Sequence, residues 1–379
     1  MPFDGNHERR RVLKTIGGLT ATAAIAGCSG DGGDGGNGGD TGTDTGGTST
    51  PASESVTYDA TMGIVATELN QIPSLTAFRN LLSQATDEQL TGSYRTFRNS
   101  QLPMQAMVGG EIDYYALSFG NTVSASLSGS DMRVLGPKTT GTDYQMVVRT
   151  DINASNLQEL VNGDYTIGVA GLGGLSHVQM AGVLAQEGLT TDVEEAGIQN
   201  IGGSSTRTSA VASGEIDATP IHIDQVGRIQ SEDAPVEVLF DFREYFPSFI
   251  NQAITVTQDF LDSEEGQAHV ENYMQVMLEA NEAATNNFDW LYENAQQLMA
   301  EPLDEEEART SWEFNAETIE TWKYEADGFN DESFQNYVEA MEAANVIDSN
   351  QVEEIEMDEI LVHDYWDAAA ENRQTDRWL

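Results

Sequence analysis

The chain has 379 residues, with 17 Lys+Arg against 63 Asp+Glu and a formal net charge of −46. So few basic residues exclude a general nucleic-acid binder, which must meet phosphates with clustered cations, and exclude electrostatic docking on anionic lipid. A hydrophobic fraction of 39% with 12 Tyr, 13 Phe and 5 Trp is enough to furnish cores, and the length suits two or three domain-sized units.

The N-terminus opens with Arg9-Arg10-Arg11-Val12-Leu13-Lys14, an uncharged stretch to Gly27, and then Cys28. A basic start, a short apolar segment and small residues before a cut define a secretory signal. The stretch is too short to span about 30 Å of hydrocarbon. The twin arginines resemble a Tat export signal, whose cargo crosses the membrane folded. Ile25-Ala26-Gly27-Cys28 resembles a lipobox, which implies cleavage after residue 27 and acylation of the Cys28 sulfur. The alternative is that Cys28 is incidental to a cleaved leader. Cys28 is the only cysteine in the chain, so acylation leaves no thiol for a disulfide. Residues 29–55 contain no aromatic or large aliphatic residue and read as a flexible tether.

Patterned sequence starts at Val56, where short apolar runs alternate with helical periodicity, the signature of α/β units. Gly110-Glu111-Ile112-Asp113 recurs as Gly214-Glu215-Ile216-Asp217, and the flanks align at the same offset: Phe97 with Ile201, Ser100 with Ser204, Ala106 with Ala210. In each copy a strand (94–97; 198–201) leads through a serine-containing turn into a helix. The helix stops at glycine, and a second strand follows (114–117; 218–221). Serine at such a turn can cap the helix, and glycine can take the left-handed conformation that ends it. The echo predicts two related lobes.

Further strands are expected at 132–135, 144–148, 165–170, 236–240 and 254–256, with helices at 157–161, 178–187 and 225–229. The remainder reads as helical: 264–284, 291–299, 317–324, 334–343 and 353–369. The acidic run 304–307 reads as a solvated helix start. All five tryptophans fall in this region, where an aromatic stripe is expected to pack on the first lobe.

With two α/β lobes and a last strand leading back to the first, the chain resembles the solute-binding proteins of ABC transporters with the type II periplasmic fold. It looks similar to the nitrate/sulfonate/taurine and thiamine-pyrimidine (NMT1/THI5-like) group. The resemblance runs from Val56 to the C-terminus and rests on the two Gly-Glu-Ile-Asp motifs and Thr166-Ile167-Gly168-Val169-Ala170-Gly171. It implies an α/β clamp with a helical C-terminal extension packed on lobe one. Lobe one would comprise 56–145 plus 250–379, and lobe two 146–249. It also implies a small polar or anionic organic solute, an ABC permease with its ATPase as partners, a monomer, no cofactor, and attachment to the outer membrane face through lipid on Cys28.

In open α/β sheets, ligands bind beyond the carboxyl ends of strands, where helix N-termini point. That rule selects Ser100, Ser118 and Phe119 in lobe one, and Gly174, Ser176, His177, Ser204, Thr206 and His222 in lobe two. Ser118 falls on His222 at the repeat offset. Each residue has a plainer reading. Ser100 and Ser204 read first as helix caps, which also offer neighbouring N–H groups. Small residues at 173–176 either permit close packing or expose N–H groups to a ligand. His177 and His222 suit ordinary hydrogen-bonded roles as well as the cleft. Asp224 reads as a helix cap, and Phe119 and Tyr144 either sandwich a ligand or fill the core.

Enzymatic signatures are weak. Gly171-Leu172-Gly173 after a strand is a partial dinucleotide fingerprint with serine at the third glycine position. No G-x-S-x-G elbow occurs, and the five histidines lack zinc-site spacing. An extracytoplasmic enzyme or ligand-sensing domain on the same fold is the second reading. The acidity fits an extreme halophile: the chain repels itself in dilute buffer, and at 1 M salt the Debye length is about 3 Å. Charge therefore does not decide the sign of the solute.

Overall fold

Among the described residues, ten strands make two five-stranded mixed sheets. They are β1 (Tyr58–Ile64), β2 (Leu90–Thr96), β3 (Tyr114–Tyr115), β4 (Met132–Thr140), β5 (Tyr144–Arg149), β6 (Ile167–Val169), β7 (Ile198–Asn200), β8 (Ala218–His222), β9 (Val236–Asp241) and β10 (Ile250–Thr257). This arrangement comes from a computed structural model that describes residues 56–379 apart from positions 66, 88 and 302. The expected signal segment 1–27, the acylation site Cys28 and the tether to residue 55 lie outside the described residues.

The first sheet runs β2-β1-β3-β10-β4 and the second β7-β6-β8-β5-β9. In the first, β1 is parallel to β2 and β3 while β10 is antiparallel to β3 and β4. In the second, β6 is parallel to β7 and β8 while β5 is antiparallel to β8 and β9. The chain crosses to the second sheet between β4 and β5 and returns between β9 and β10. Helices cover the sheets, so β10 is buried on both faces from Ile250 to Val256, its polar Asn251, Gln252 and Thr255 included.

The helices are α1 (Ile72–Thr76), α2 (Leu82–Ala85), α3 (Gln101–Val108), α4 (Phe119–Leu127), α5 (Leu157–Asn162), α6 (Leu175–Gln186), α7 (Ser204–Ser213) and α8 (Ile223–Ser231). The C-terminal set comprises α9 (Gln258–Leu261), α10 (Glu264–Asn286), α11 (Phe288–Leu298), α12 (Glu305–Glu313), α13 (Asp331–Ala343), α14 (Ser349–Glu354), α15 (Met357–Ile360) and α16 (His363–Asn372). Side-chain oxygens of Ser263, Asn287, Asp304 and Asn330 cap α10 to α13, each accepting a first-turn N–H.

The sequence echo is a structural one. Gly110 and Gly214 follow α3 and α7 with φ of 71° and 80°, the left-handed exit that glycine takes without a Cβ clash. Each copy's aspartate then ties the exit to a neighbouring strand. The Asp113 carboxylate accepts the Thr61 N–H at 2.7 Å, and the Asp217 carboxylate accepts the Thr166 N–H at 2.9 Å. Aspartate recurs because a strand needs that hydrogen bond at the same point in both sheets.

Three expectations change. No helix spans 317–324: the end of α12 widens into a π turn at Phe314–Thr318 and the chain then runs irregularly. Local propensity loses there to tertiary partners. Thr321 exchanges hydrogen bonds with Thr140 at the end of β4, and the Trp322 indole donates to the Asn70 carbonyl at 2.7 Å. The expected helix 353–369 is three short helices, because Leu361 bridges to Val134 and the Val362 N–H donates to the Val134 carbonyl at 2.9 Å. The C-terminal region also touches more than lobe one. While α10 packs on α1 and α16, α13 packs on α6 and α12 on α8. Of the tryptophans, Trp322 and Trp366 are buried. The segment from Leu69 to Ala85, which has no expected element, is helical, and Leu69–Phe78 is buried despite Asn70, Gln71, Ser74 and Thr76.

Candidate functional site

A cavity of about 70 Å³ lies between the sheets. Its wall takes Val65 after β1, Ser118 after β3, Ala170 after β6, Gly203 after β7 and His222 at the end of β8, all carboxyl ends of strands. Tyr144 on β5 and Gln252 on β10, from the two crossing segments, complete it with Glu68, Gln71, Asn99, Ser100, Leu117, Leu175, Ser176 and Ser204. Five helices, α3, α4, α6, α7 and α8, begin at this wall, which places their positive dipole ends at the cavity.

Glu68 is the centre of the polar network. It is 7% exposed and follows β1 of the first sheet, accepting the hydroxyl of Ser204, which follows β7 of the second sheet, and the nearby Gln71 amide. The His222 Nε2 lies 3.7 Å from the Glu68 carboxylate. On the other side of that ring, Nδ1 is 2.8 Å from the Asp143 carboxylate. Asp143 sits between β4 and β5 and also accepts the amides of Asn70 at 2.8 Å and Asn251 at 3.3 Å. Burial alone would lower the pKa of His222, but Asp143 and Glu68 outweigh it and hold the imidazolium well above the ordinary histidine value.

Lys138 on β4 is 1% exposed and donates to the Gln71 Oε1 and the Ala116 carbonyl, both at 3.1 Å. Desolvation brings its pKa down to about 7, opposed by the Glu68 carboxylate. Asp224, also buried, is pushed up to about 6 by desolvation. His222, not Asp224, occupies the cap position of α8, and the Asp224 carboxyl instead accepts the Gln225 N–H at 2.9 Å.

The expected residues divide. Ser100, Ser118, Ser176, Ser204 and His222 line the cavity together, and Ser118 and His222 each begin a helix at equivalent strand ends. Phe119 lies in the core, edge-on to Phe334 and Tyr337. Gly174 caps α6 close to the Ser100 hydroxyl, and Thr206 is exposed on α7. Nor does His177 reach the cavity. Its Nδ1 accepts the Gly173 N–H at 3.0 Å, and its ring borders a separate groove with Leu172, Thr191 and Val346.

Neither serine acts as the expected cap. Ser100 leaves that role to the Asn99 side chain, which accepts the Gln101 and Leu102 N–H groups at 3.1 Å. Ser204 points its hydroxyl at Glu68. The residues absent from the sequence reading, Glu68, Gln71 and Gln252, follow β1 or lie on β10. The strand-end rule applied to β1 would have reached the first two. Gln252 carries no local signal, since it lies within β10 and not at a strand end.

Among the described residues no group of three or more His, Cys, Asp and Glu side chains is arranged to hold a metal ion, and no helix is long and apolar enough to cross a membrane.

No family model matches the chain, and no curated protein is similar to it in sequence. Solved structures are similar in fold. The ligand-binding component of an ABC-type import system from Staphylococcus aureus, solved with zinc bound, aligns at a TM-score of 0.66 and 12% identity over 82% of this chain and 98% of that one. The periplasmic nitrate-binding protein NrtA of Synechocystis PCC 6803 aligns at 0.66 and 11%, over 83% and 89%. The alkanesulfonate-binding protein SsuA of Xanthomonas axonopodis pv. citri, bound to MOPS, aligns at 0.61 and 14%, over 77% and 94%. The chain therefore has the periplasmic-binding-protein fold, α/β with two mixed sheets and a helical C-terminal region.

Proposed function

We propose that this protein is the extracytoplasmic solute-binding component of an ABC importer in an extreme halophile. Residues 1–27 act as a Tat-type signal, lipid on Cys28 anchors the mature protein, and residues 29–55 let the body reach a permease and its ATPase. Lobe one (56–145 with 250–379) and lobe two (146–249) close as a monomer on a small solute, which Ser100, Ser118, Ser176, Ser204 and His222 contact. The observation that carries this reading is the Glu68–Ser204 hydrogen bond. It joins the lobes at the cavity, where a hinged clamp would gain its closing energy from contacts to both sides.

The test is native mass spectrometry of the protein purified in molar salt, paired with small-angle scattering before and after the carried molecule is removed. A released small molecule and an expanded, ligand-free state are the expected results. A protein that carries nothing and keeps one scattering profile against every solute would refute the reading.

A further inference from the structure

Asn153-Ala154-Ser155 is the only Asn-x-Ser/Thr triplet in the chain. On the surface of an exported protein that spacing marks an acceptor for N-linked sugar. A triplet by itself is a weak signal, and the folded context decides whether it can be used.

The fold presents this one openly. It lies in the bend between β5 and α5, outside any helix or strand, with Asn153 and Ser155 exposed. Ala154 between them is 6% exposed and belongs to the core, so it pins the bend while its neighbours stay in solvent. The Asn153 main-chain N–H donates to the Tyr165 hydroxyl at 3.0 Å, and among the described residues nothing hydrogen-bonds the Asn153 side-chain amide. The Ser155 hydroxyl donates to the Glu159 carboxylate at 2.8 Å, an exposed bond that water can replace. Asn156, one residue further on, is committed: its side chain caps α5 by accepting the Glu159 N–H at 2.9 Å.

The location also leaves room for a bulky group. Strand β5 runs antiparallel to β8, with Tyr144 opposite His222 at the cavity and Val148 opposite Ala218. At about 3.4 Å per residue, the run from Tyr144 to Arg149 carries the chain roughly 17 Å away from the cavity before the bend begins. A chain of sugars on Asn153 stands at the far end of the second sheet, clear of the candidate solute site.

We infer that Asn153 is glycosylated through its side-chain nitrogen. The inference rests on the exported, anchored reading and goes beyond it. On the proposed Tat route the body crosses the membrane folded, so a transferase on the outer face meets only what the folded surface shows. The Asn153 Nδ2 attacks the anomeric carbon of an oligosaccharide carried on a polyprenyl phosphate. A C–N bond forms as the sugar–phosphate C–O bond breaks. The carrier phosphate leaves with the electron pair, and the amide proton passes to a base of the transferase.

The experiment takes the mature protein from the membranes of the cells that make it and digests it with trypsin. No Lys or Arg lies between Arg149 and Arg207, so residues 150–207 come off as one peptide. Mass spectrometry is expected to find this peptide heavier by a chain of sugar residues, with the added mass on Asn153. Asn153→Gln and Ser155→Ala should each return it to the unmodified mass, whereas Ser155→Thr, which keeps the hydroxyl, should retain the addition. An unmodified wild-type peptide, from protein that external protease strips off intact cells, would overturn the inference and leave the anchored carrier standing. Protein held inside the cell with residues 1–27 still attached would overturn both. Added mass that survives Asn153→Gln or Ser155→Ala would overturn the assignment as well.

Discussion

His222 and Lys138 are two buried bases with opposite fates. His222 lies between carboxylates and keeps its proton, while Lys138 has amide and carbonyl neighbours and tends to lose it. The raised His222 pKa contributes stability that is complete below the ordinary value of 6.5 and is lost as pH rises through the folded value. Asp143→Asn should bring the His222 titration down markedly, as followed by its ring proton resonances; an unmoved titration would show that Asp143 is not what holds the charge. For Lys138 the sign reverses. Its stabilising contribution is present above 10.5 and declines as pH falls toward 7, because the unfolded lysine takes up a proton that the folded one refuses. Lys138→Met should flatten stability between pH 7 and 10, measured by denaturant unfolding in constant salt. A slope equal to the wild type's would mean that the buried amine is charged throughout.

At the scale of elements, the two Gly-Glu-Ile-Asp turns form a natural pair of experiments. Alanine at either glycine must adopt a left-handed backbone, which costs about 1–2 kcal/mol. At Gly110 an added Cβ meets nothing within 4 Å, so that cost stands alone. At Gly214 the Cβ would come within 2.8 Å of the Arg149 guanidinium, whose Nη1 donates to the Gly214 carbonyl at 3.1 Å. Gly214→Ala should therefore destabilise more than Gly110→Ala in chemical denaturation, and equal losses would mean that Arg149 moves aside freely. These turns were legible because one residue type does one backbone task in each copy. The strands around them were legible because their apolar runs are local. The helix expected at 317–324 was not, since Trp322 and Thr321 are held by Asn70 and Thr140, partners about 180 to 250 positions away whose pull no window of sequence contains.

For the whole molecule, a formal charge of −46 should make the folded state depend on screening. The melting temperature is expected to rise steeply from dilute buffer to molar NaCl, and a flat curve would remove the halophile argument. Composition and periodicity determined the class of fold and its repeated strand–helix–strand unit, because burial patterns and glycine conformations are written in neighbouring residues. They also brought Ser100, Ser118, Ser176, Ser204 and His222 to one wall through the strand-end rule. Only the tertiary structure could place Glu68 among them, join it to Ser204 and Gln71 beside His222, and send Phe119 and His177 elsewhere. Electrostatic balance in a buried site is a sum over groups brought together by folding, and that sum is absent from any single stretch of chain.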